Sequence, residues 1–286
     1  MAQIIDGKEL GLRIKEKMKV QIPFLQEKYG RLPSLYVVLV GHDVGSQRYV
    51  HSKIAAAEWV GMNAHIIALE DTITEVELLN KIYELNDDPC VDGILVQLPL
   101  PSHICEAHIV NAIAKDKDVD GFHPQNVGAL WQGTYHIVPC TPQGILQLIK
   151  STNVPICGKI AVVVGRSNIV GKPIAKLLLD ENATVVIAHS YTQNLKAITR
   201  LADILVVAAG REKLITADMV KPGAMVIDVG ITRNQQGKVV GDVDFENVCQ
   251  VAGYITPVPG GVGPLTLAML LQNTMECFFL HTETSR

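Results

Sequence analysis

The chain has no long apolar run, no basic block, no closely paired cysteines and no apolar leader. Its 286 residues carry a formal net charge of −4. A nucleic-acid partner is therefore not expected, because gripping a phosphate backbone needs a basic surface. No stretch approaches the ~20 apolar residues that cross a bilayer, so no membrane partner is expected either. The opening Met1-Ala2-Gln3-Ile4-Ile5-Asp6-Gly7-Lys8-Glu9 lacks the apolar centre of a secretory signal. The cysteines, at 90, 105, 140, 157, 249 and 277, include no C-x-x-C pair. They read as reduced, mostly packed thiols of a cytoplasmic protein, and no metal site is expected. Repeats of fixed period and low-complexity segments are also missing.

Apolar residues make up 48% of the chain, enough for a sizeable core, and the length suits about two domains. In the second half, apolar runs at 160–164, 183–188, 204–208 and 224–228 alternate with helical or loop segments. That alternation predicts βα units and a doubly wound parallel sheet. The first half is also α/β, with strands predicted at 35–40, 64–69 and 91–96. Helices are predicted at 46–60, stopped by Gly61, and at 74–85. Pro264 suits the first turn of a last helix reaching about residue 279.

The run Val163-Val164-Gly165-Arg166-Ser167-Asn168-Ile169-Val170-Gly171-Lys172-Pro173 joins a buried strand to a helix through a glycine turn. Such a junction aims backbone N–H groups and a positive helix end at a phosphate. The spacing is not G-x-G-x-x-G, and the turn carries an arginine that can fork onto phosphate. An ordinary βα turn with a surface arginine is the alternative. The next strand ends in His189-Ser190-Tyr191-Thr192, with no Asp or Glu to hold a ribose 2′-hydroxyl. Hydroxyls at Ser190 and Thr192 with the cation of Arg166 suit a 2′-phosphate, which points to NADP.

Polar residues of the first half suggest chemistry. Tyr49 and Lys53 share a helix face, and a lysine near a reacting centre stabilises an anion or, when desolvated, acts as a base. A solvated helix lysine is the alternative. A Tyr-x-x-x-Lys pair also marks short-chain dehydrogenases, but there it follows the nucleotide turn, whereas here it precedes it by over a hundred residues. Gln97 ends a strand before Leu98-Pro99-Leu100-Pro101, where an open α/β sheet presents ligands. Bonding a loop carbonyl is the commoner fate of a single glutamine. Within Lys115-Asp116-Lys117-Asp118-Val119-Asp120-Gly121-Phe122-His123-Pro124, a solvated charge run is one reading. Asp120 pointing into a pocket is the other. The loop Thr256-Pro257-Val258-Pro259-Gly260-Gly261-Val262-Gly263-Pro264 permits close backbone contact with a ligand or makes a tight connection between domains.

With these motifs in this order, essentially the whole chain resembles the bifunctional methylenetetrahydrofolate dehydrogenase/methenyltetrahydrofolate cyclohydrolase family, the FolD type. The matching motifs are Gly41-x4-Ser46-x2-Tyr49-x3-Lys53, Gly93-Ile94-Leu95-Val96-Gln97-Leu98-Pro99, 117–124, Gly165-Arg166-Ser167-x2-Val170-Gly171-x-Pro173, and Pro257 to Pro264. The resemblance implies an N-terminal α/β catalytic, folate-binding domain (1–139, completed by 264–286). A Rossmann-like doubly wound NADP domain (140–263) would be inserted into it, with a cleft between them and a homodimer formed through the nucleotide domains. It implies oxidation of 5,10-methylenetetrahydrofolate to the methenyl form with NADP, then hydrolysis to 10-formyltetrahydrofolate, in one-carbon metabolism. By resemblance Lys53 is the catalytic lysine, with Tyr49 against the folate, Gln97 orienting the lysine and Asp120 holding the pterin edge. Val96, Leu98, Pro259, Gly260, Gly261, Val262 and Gly263 line the substrate. Gly165, Arg166, Ser167, Ser190 and Ile231 serve the cofactor. Ala188, Tyr191 and Ala209-Gly210-Arg211 depart from the family's usual residues, which touches only fine cofactor contacts. A shikimate-type dehydrogenase and a non-catalytic nucleotide-binding regulator are the rival readings.

Overall fold

The computed structural model describes residues 1–234 and 236–283. In chain order it begins with β1 (Gln3–Ile4), α1 (Gly7–Tyr29), β2 (Ser34–Val40), α2 (Val44–Val60), β3 (Asn63–Leu69), α3 (Glu75–Asp87) and β4 (Gly93–Val96). Next come α4 (Glu106–Ala112), α5 (Pro124–Gln132), α6 (Cys140–Ser151), β5 (Ile160–Val164), α7 (Gly171–Asp180), β6 (Thr184–Ala188), α8 (Leu195–Thr199) and β7 (Ile204–Val207). A 3-10 turn (Ala217–Met219) leads to β8 (Met225–Asp228), β9 (Thr232–Arg233), β10 (Val239–Val240), α9 (Phe245–Val248), β11 (Tyr254–Ile255) and α10 (Val262–Glu283).

The chain packs as two compact units, 1–12 with 139–269, and 13–138 with the described residues from 270 on. These packing edges differ from the expected domain edges of 139 and 264. Residues 1–12 belong with the nucleotide-type unit because β1 pairs in parallel with β11, and because a side chain at Gly7 would collide with Gly261. The first turns of α10, up to residue 269, pack there too.

In the 13–138 unit, β3-β2-β4 form a parallel sheet whose central β2 is almost wholly buried. Such a strand reads as a continuous apolar run because both its faces are covered. Helix α2 starts where the Asp43 carboxylate accepts the Ser46 N–H at 2.7 Å, and stops at left-handed Gly61. Helix α3 starts at a reciprocal cap, the Thr74 hydroxyl taking the Glu77 N–H and the Glu77 carboxylate taking the Thr74 N–H. The strand predicted from 91 begins only at Gly93. Fully buried Asp92 is engaged by the Arg31 guanidinium (2.7 and 2.8 Å) and the Ser34 N–H instead.

The other unit carries a six-stranded sheet in the order β1-β11-β8-β7-β5-β6, parallel throughout. Its core lies among Val162, Val164, Leu205, Val207, Val226 and Ile255. The order β6-β5-β7-β8-β11 is a doubly wound 2-1-3-4-5 arrangement. Its topological switch point, where such sheets bind ligands, falls between β5 and β7.

Candidate active site

In the 13–138 unit, Lys53 on α2 and Gln97 just after β4 meet directly. The Lys53 ammonium donates to Gln97 Oε1 at 2.9 Å. Gln97 Nε2 donates to the Leu98 carbonyl at 2.6 Å, so the amide is held with its oxygen toward the lysine. The bond to a loop carbonyl, the commoner fate of such a glutamine, is present here beside the bond to Lys53. Tyr49, one turn before Lys53, is 53% exposed and free to meet a ligand. Val96 is buried, while Lys53, Gln97 and Leu98 are half-buried at the carboxyl end of the sheet.

The charge run 115–118 is solvated only in its first half, Lys115 being exposed and Asp116 partly so, while Lys117 and Asp118 are buried. Buried Lys117 donates to the carbonyls of Leu85, Asn86 and Asp88 at 2.7–3.0 Å, capping the end of α3 with its positive charge. Buried Asp118 accepts from the Gly121 and His123 N–H groups and from Asn126 Nδ2. That organises the turn presenting Asp120, which borders a small apolar recess with Ile94, Val96, Leu98, Ile109 and Phe122. Desolvation by these surroundings pushes Asp120 up to about 6, against the pull of the nearby Lys53 charge. The sequence reading missed Lys117, Asp118 and Asn126. The signal available was a charge pair held inside an apolar frame, Val119 and Ile113. A concavity of about 1220 Å³ in this unit opens elsewhere, beside Arg31, Lys115 and His281, and none of the expected residues lines it.

In the other unit, β5 runs into Gly165 at φ 129°, where a Cβ would collide with the Ala208 carbonyl beyond β7. Only glycine closes the switch point this tightly. Arg166 is exposed, its guanidinium 5.7 Å from the Tyr191 ring centroid, so the turn after β5 meets the loop after β6 that carries exposed Ser190. The Ser167 hydroxyl accepts the Val170 N–H at 3.2 Å and starts α7. Thr192, expected to face a phosphate, accepts the His189 N–H at 2.8 Å instead. Ile231 is 58% exposed beyond β8. In the loop before α10, Gly261 N–H donates to the Pro257 carbonyl at 2.9 Å. Gly260, Gly261 and Val262 are buried within this unit, while Pro259 and Gly263 are exposed. Helix α10 begins at Val262, so Pro264 lies inside its first turn as expected. The reading also missed Asp228 and Asp242, which hold the loops around this crevice.

One unit with a doubly wound sheet, a glycine turn and an exposed arginine at its switch-point end, and another α/β unit bearing a lysine–glutamine–aspartate group, define a two-unit nucleotide-dependent enzyme. Comparison with known proteins makes the class specific. Residues 5–120 match the catalytic domain of tetrahydrofolate dehydrogenase/cyclohydrolase, and residues 139–282 match that family's NAD(P)-binding domain. The bifunctional protein FolD of Listeria innocua is 55% identical over 276 residues, 96% of this chain and 97% of the relative. Among solved structures, the bifunctional FolD enzyme of Campylobacter jejuni is 50% identical with a TM-score of 0.95, covering 97% of this chain and 98% of that one. The Trypanosoma brucei enzyme, complexed with NADP cofactor and inhibitor, is 38% identical with a TM-score of 0.93, covering 100% and 99%. A shikimate dehydrogenase of Thermus thermophilus, 16% identical with a TM-score of 0.51, shares the fold alone over 87% of this chain and 93% of that one. The chain belongs to the tetrahydrofolate dehydrogenase/cyclohydrolase family. It is a bifunctional methylenetetrahydrofolate dehydrogenase and methenyltetrahydrofolate cyclohydrolase with an NAD(P)-binding domain.

Proposed function

We propose that one folate site, built on Lys53, Tyr49, Gln97 and Asp120, serves both reactions of this enzyme, and that NADP is its cofactor. The observation that carries this reading is the Lys53–Gln97 hydrogen bond, with Asp120 close enough to feel the lysine's charge. Asp120 as a carboxylate accepts N–H groups from the pterin edge of 5,10-methylenetetrahydrofolate and fixes the ring. Tyr49 covers it, with Val96 and Leu98 beside the ring, and Pro259, Gly260, Gly261, Val262 and Gly263 are proposed as further substrate-binding residues. NADP, held by Gly165, Arg166, Ser167 and Ser190, would supply the hydride acceptor for the bridging carbon. The protein moves no proton in that step, so its contribution is alignment and field.

The methenyl carbon that results is cationic and open to water. Lys53, held by Gln97, orients the attacking water. As a neutral amine it receives the water's proton, and as an ammonium it stabilises the developing charge. The proton then passes to the leaving ring nitrogen, and ring opening gives 10-formyltetrahydrofolate.

The cofactor reading is supported by the Gly165 cradle, by exposed Arg166 and Ser190, and by the lack of an acid in 189–192. Ser167 sits at the start of α7 and Ile231 beyond β8, where the phosphates and the nicotinamide side are expected. We propose residues 1–139 with 264–286 as the folate-binding domain and 140–263 as the NADP domain, a division of labour whose packing edges differ as described. A homodimer is proposed through β6, the sheet edge, where Ile187 is exposed. A cytoplasmic setting fits six free thiols, three of them exposed. Among the described residues no helix is long and apolar enough to cross a membrane.

The test is an absorbance assay of methenyl formation with NADP and NAD side by side, followed by methenyl decay. Formation with NADP and decay to the formyl product are expected. Absence of decay would remove the single-site reading.

A further inference from the structure

Two carboxylates in the nucleotide unit are buried without a cation as partner. Asp242 has no solvent exposure, and its oxygens accept three consecutive backbone N–H groups, Ala209 at 2.6 Å, Gly210 at 2.8 Å and Arg211 at 2.8 Å. Asp228, 3% exposed, accepts the N–H groups of Gly230 (3.0 Å), Asp242 (2.9 Å) and Val243 (3.0 Å). Asp228 therefore holds the backbone of Asp242, and Asp242 holds 209–211. The Asp228 N–H in turn donates to the buried Thr256 hydroxyl at 2.8 Å. The fit is close, since a Cβ at Gly241 would collide with the Asp228 carboxylate and one at Gly230 with Asp242.

Burying a carboxylate is costly, and here the cost falls on backbone donors alone. Desolvation and the neighbouring Asp242 charge push Asp228 up to about 6. A neutral asparagine would fill the same space without that cost, but its NH₂ would face N–H donors. What the two carboxylates secure is the shape of the loops after β7 and β8, at the carboxyl end of the sheet, and of the segment 242–243 after β10. The first of them packs against Gly165 across the switch point.

We infer that Asp242, with Asp228 behind it, is a positioning residue for the nicotinamide end of the cofactor site. Its carboxylate locks 209–211 and, through Asp228, the backbone leading to Ile231. The inference rests on the proposed placement of NADP at this crevice. It concerns hydride transfer only, because hydrolysis needs no cofactor aligned.

Asp242→Asn in the full-length enzyme should cut dehydrogenase kcat/KM by about tenfold or more, with a raised KM for NADP, since small misplacements of reacting groups are that costly. Methenyl hydrolysis, assayed without cofactor on added methenyltetrahydrofolate, should stay within about twofold. Thr256→Val, which removes one hydroxyl and keeps shape, should raise the KM for NADP several-fold with hydrolysis unchanged, and it serves if Asp242→Asn does not fold. Equal losses in both activities, or an unaltered dehydrogenase in either variant, would overturn the inference. Arg166→Ala is run alongside. If it leaves the KM for NADP unaltered, the cofactor placement falls and the inference with it. If it raises that KM while Asp242→Asn lowers both activities equally, only the positioning role falls.

Discussion

Lys53 Nζ donates to Gln97 Oε1 at 2.9 Å across 44 residues of chain, and the glutamine's other end is tied to the Leu98 carbonyl. The lysine is thereby held at a strand end rather than left in solvent. General-base assistance contributes about 10²–10⁴-fold. Lys53→Gln should therefore all but stop methenyl decay while some methenyl formation survives, so that methenyltetrahydrofolate accumulates. Loss of hydride transfer with normal hydrolysis would reverse the assignment.

Asp120 carries the second prediction. Asp120→Asn should lower both activities and leave the KM for NADP nearly unaltered. Because burial raises its pKa to about 6, kcat/KM of the wild type should fall as the carboxylate protonates below pH 6. For stability the sign is opposite. The folded pKa lies above the unfolded 3.8, so the contribution is full below pH 3.8 and lost as pH rises through 6. At pH 7 the asparagine variant should be more stable by about 1–3 kcal/mol. A variant both inactive and less stable at pH 7 in urea titrations would contradict this.

Arg166 decides between cofactors. Arg166→Ala should weaken NADP about tenfold or more relative to NAD, the worth of one charge-assisted phosphate contact. Equal weakening of both, measured by KM, would detach Arg166 from the 2′-phosphate.

His281, on α10, faces Asp116 at 3.4 Å and Asp92 at 3.2 Å, and these acids raise its pKa to about 9 against the effect of burial. The folded pKa exceeds the unfolded 6.5, so the stabilisation is full below pH 6.5 and disappears as pH rises through 9. His281→Gln should cost roughly 1–2 kcal/mol near pH 6, discounted for partial solvation, and little above pH 10. A gap in Tm that does not narrow between pH 7 and 10 would refute the assignment.

Local order alone determined much of this protein. The strand 160–164 was legible to the residue, because a parallel strand covered on both faces must be an unbroken apolar run. The stop of α2 was legible because Gly61 ends its own helix, and α3 starts one residue after the expected 74; but α2 starts two residues before the expected 46 and α3 ends two after the expected 85. The five motifs, in order, carried the family. Tertiary structure alone decided which charges are buried. Asp92 meets Arg31 61 residues away, and Asn273 bonds the Val119 carbonyl 154 residues away. Asp242, Lys117 and Asp118 look like loop charges in the sequence and Asp228 like a plain strand end, since their environments come from groups that only the folded chain brings within hydrogen-bonding reach. The edge placement of β1 was likewise hidden, because two residues carry no periodicity and only the pairing with β11 makes them a strand.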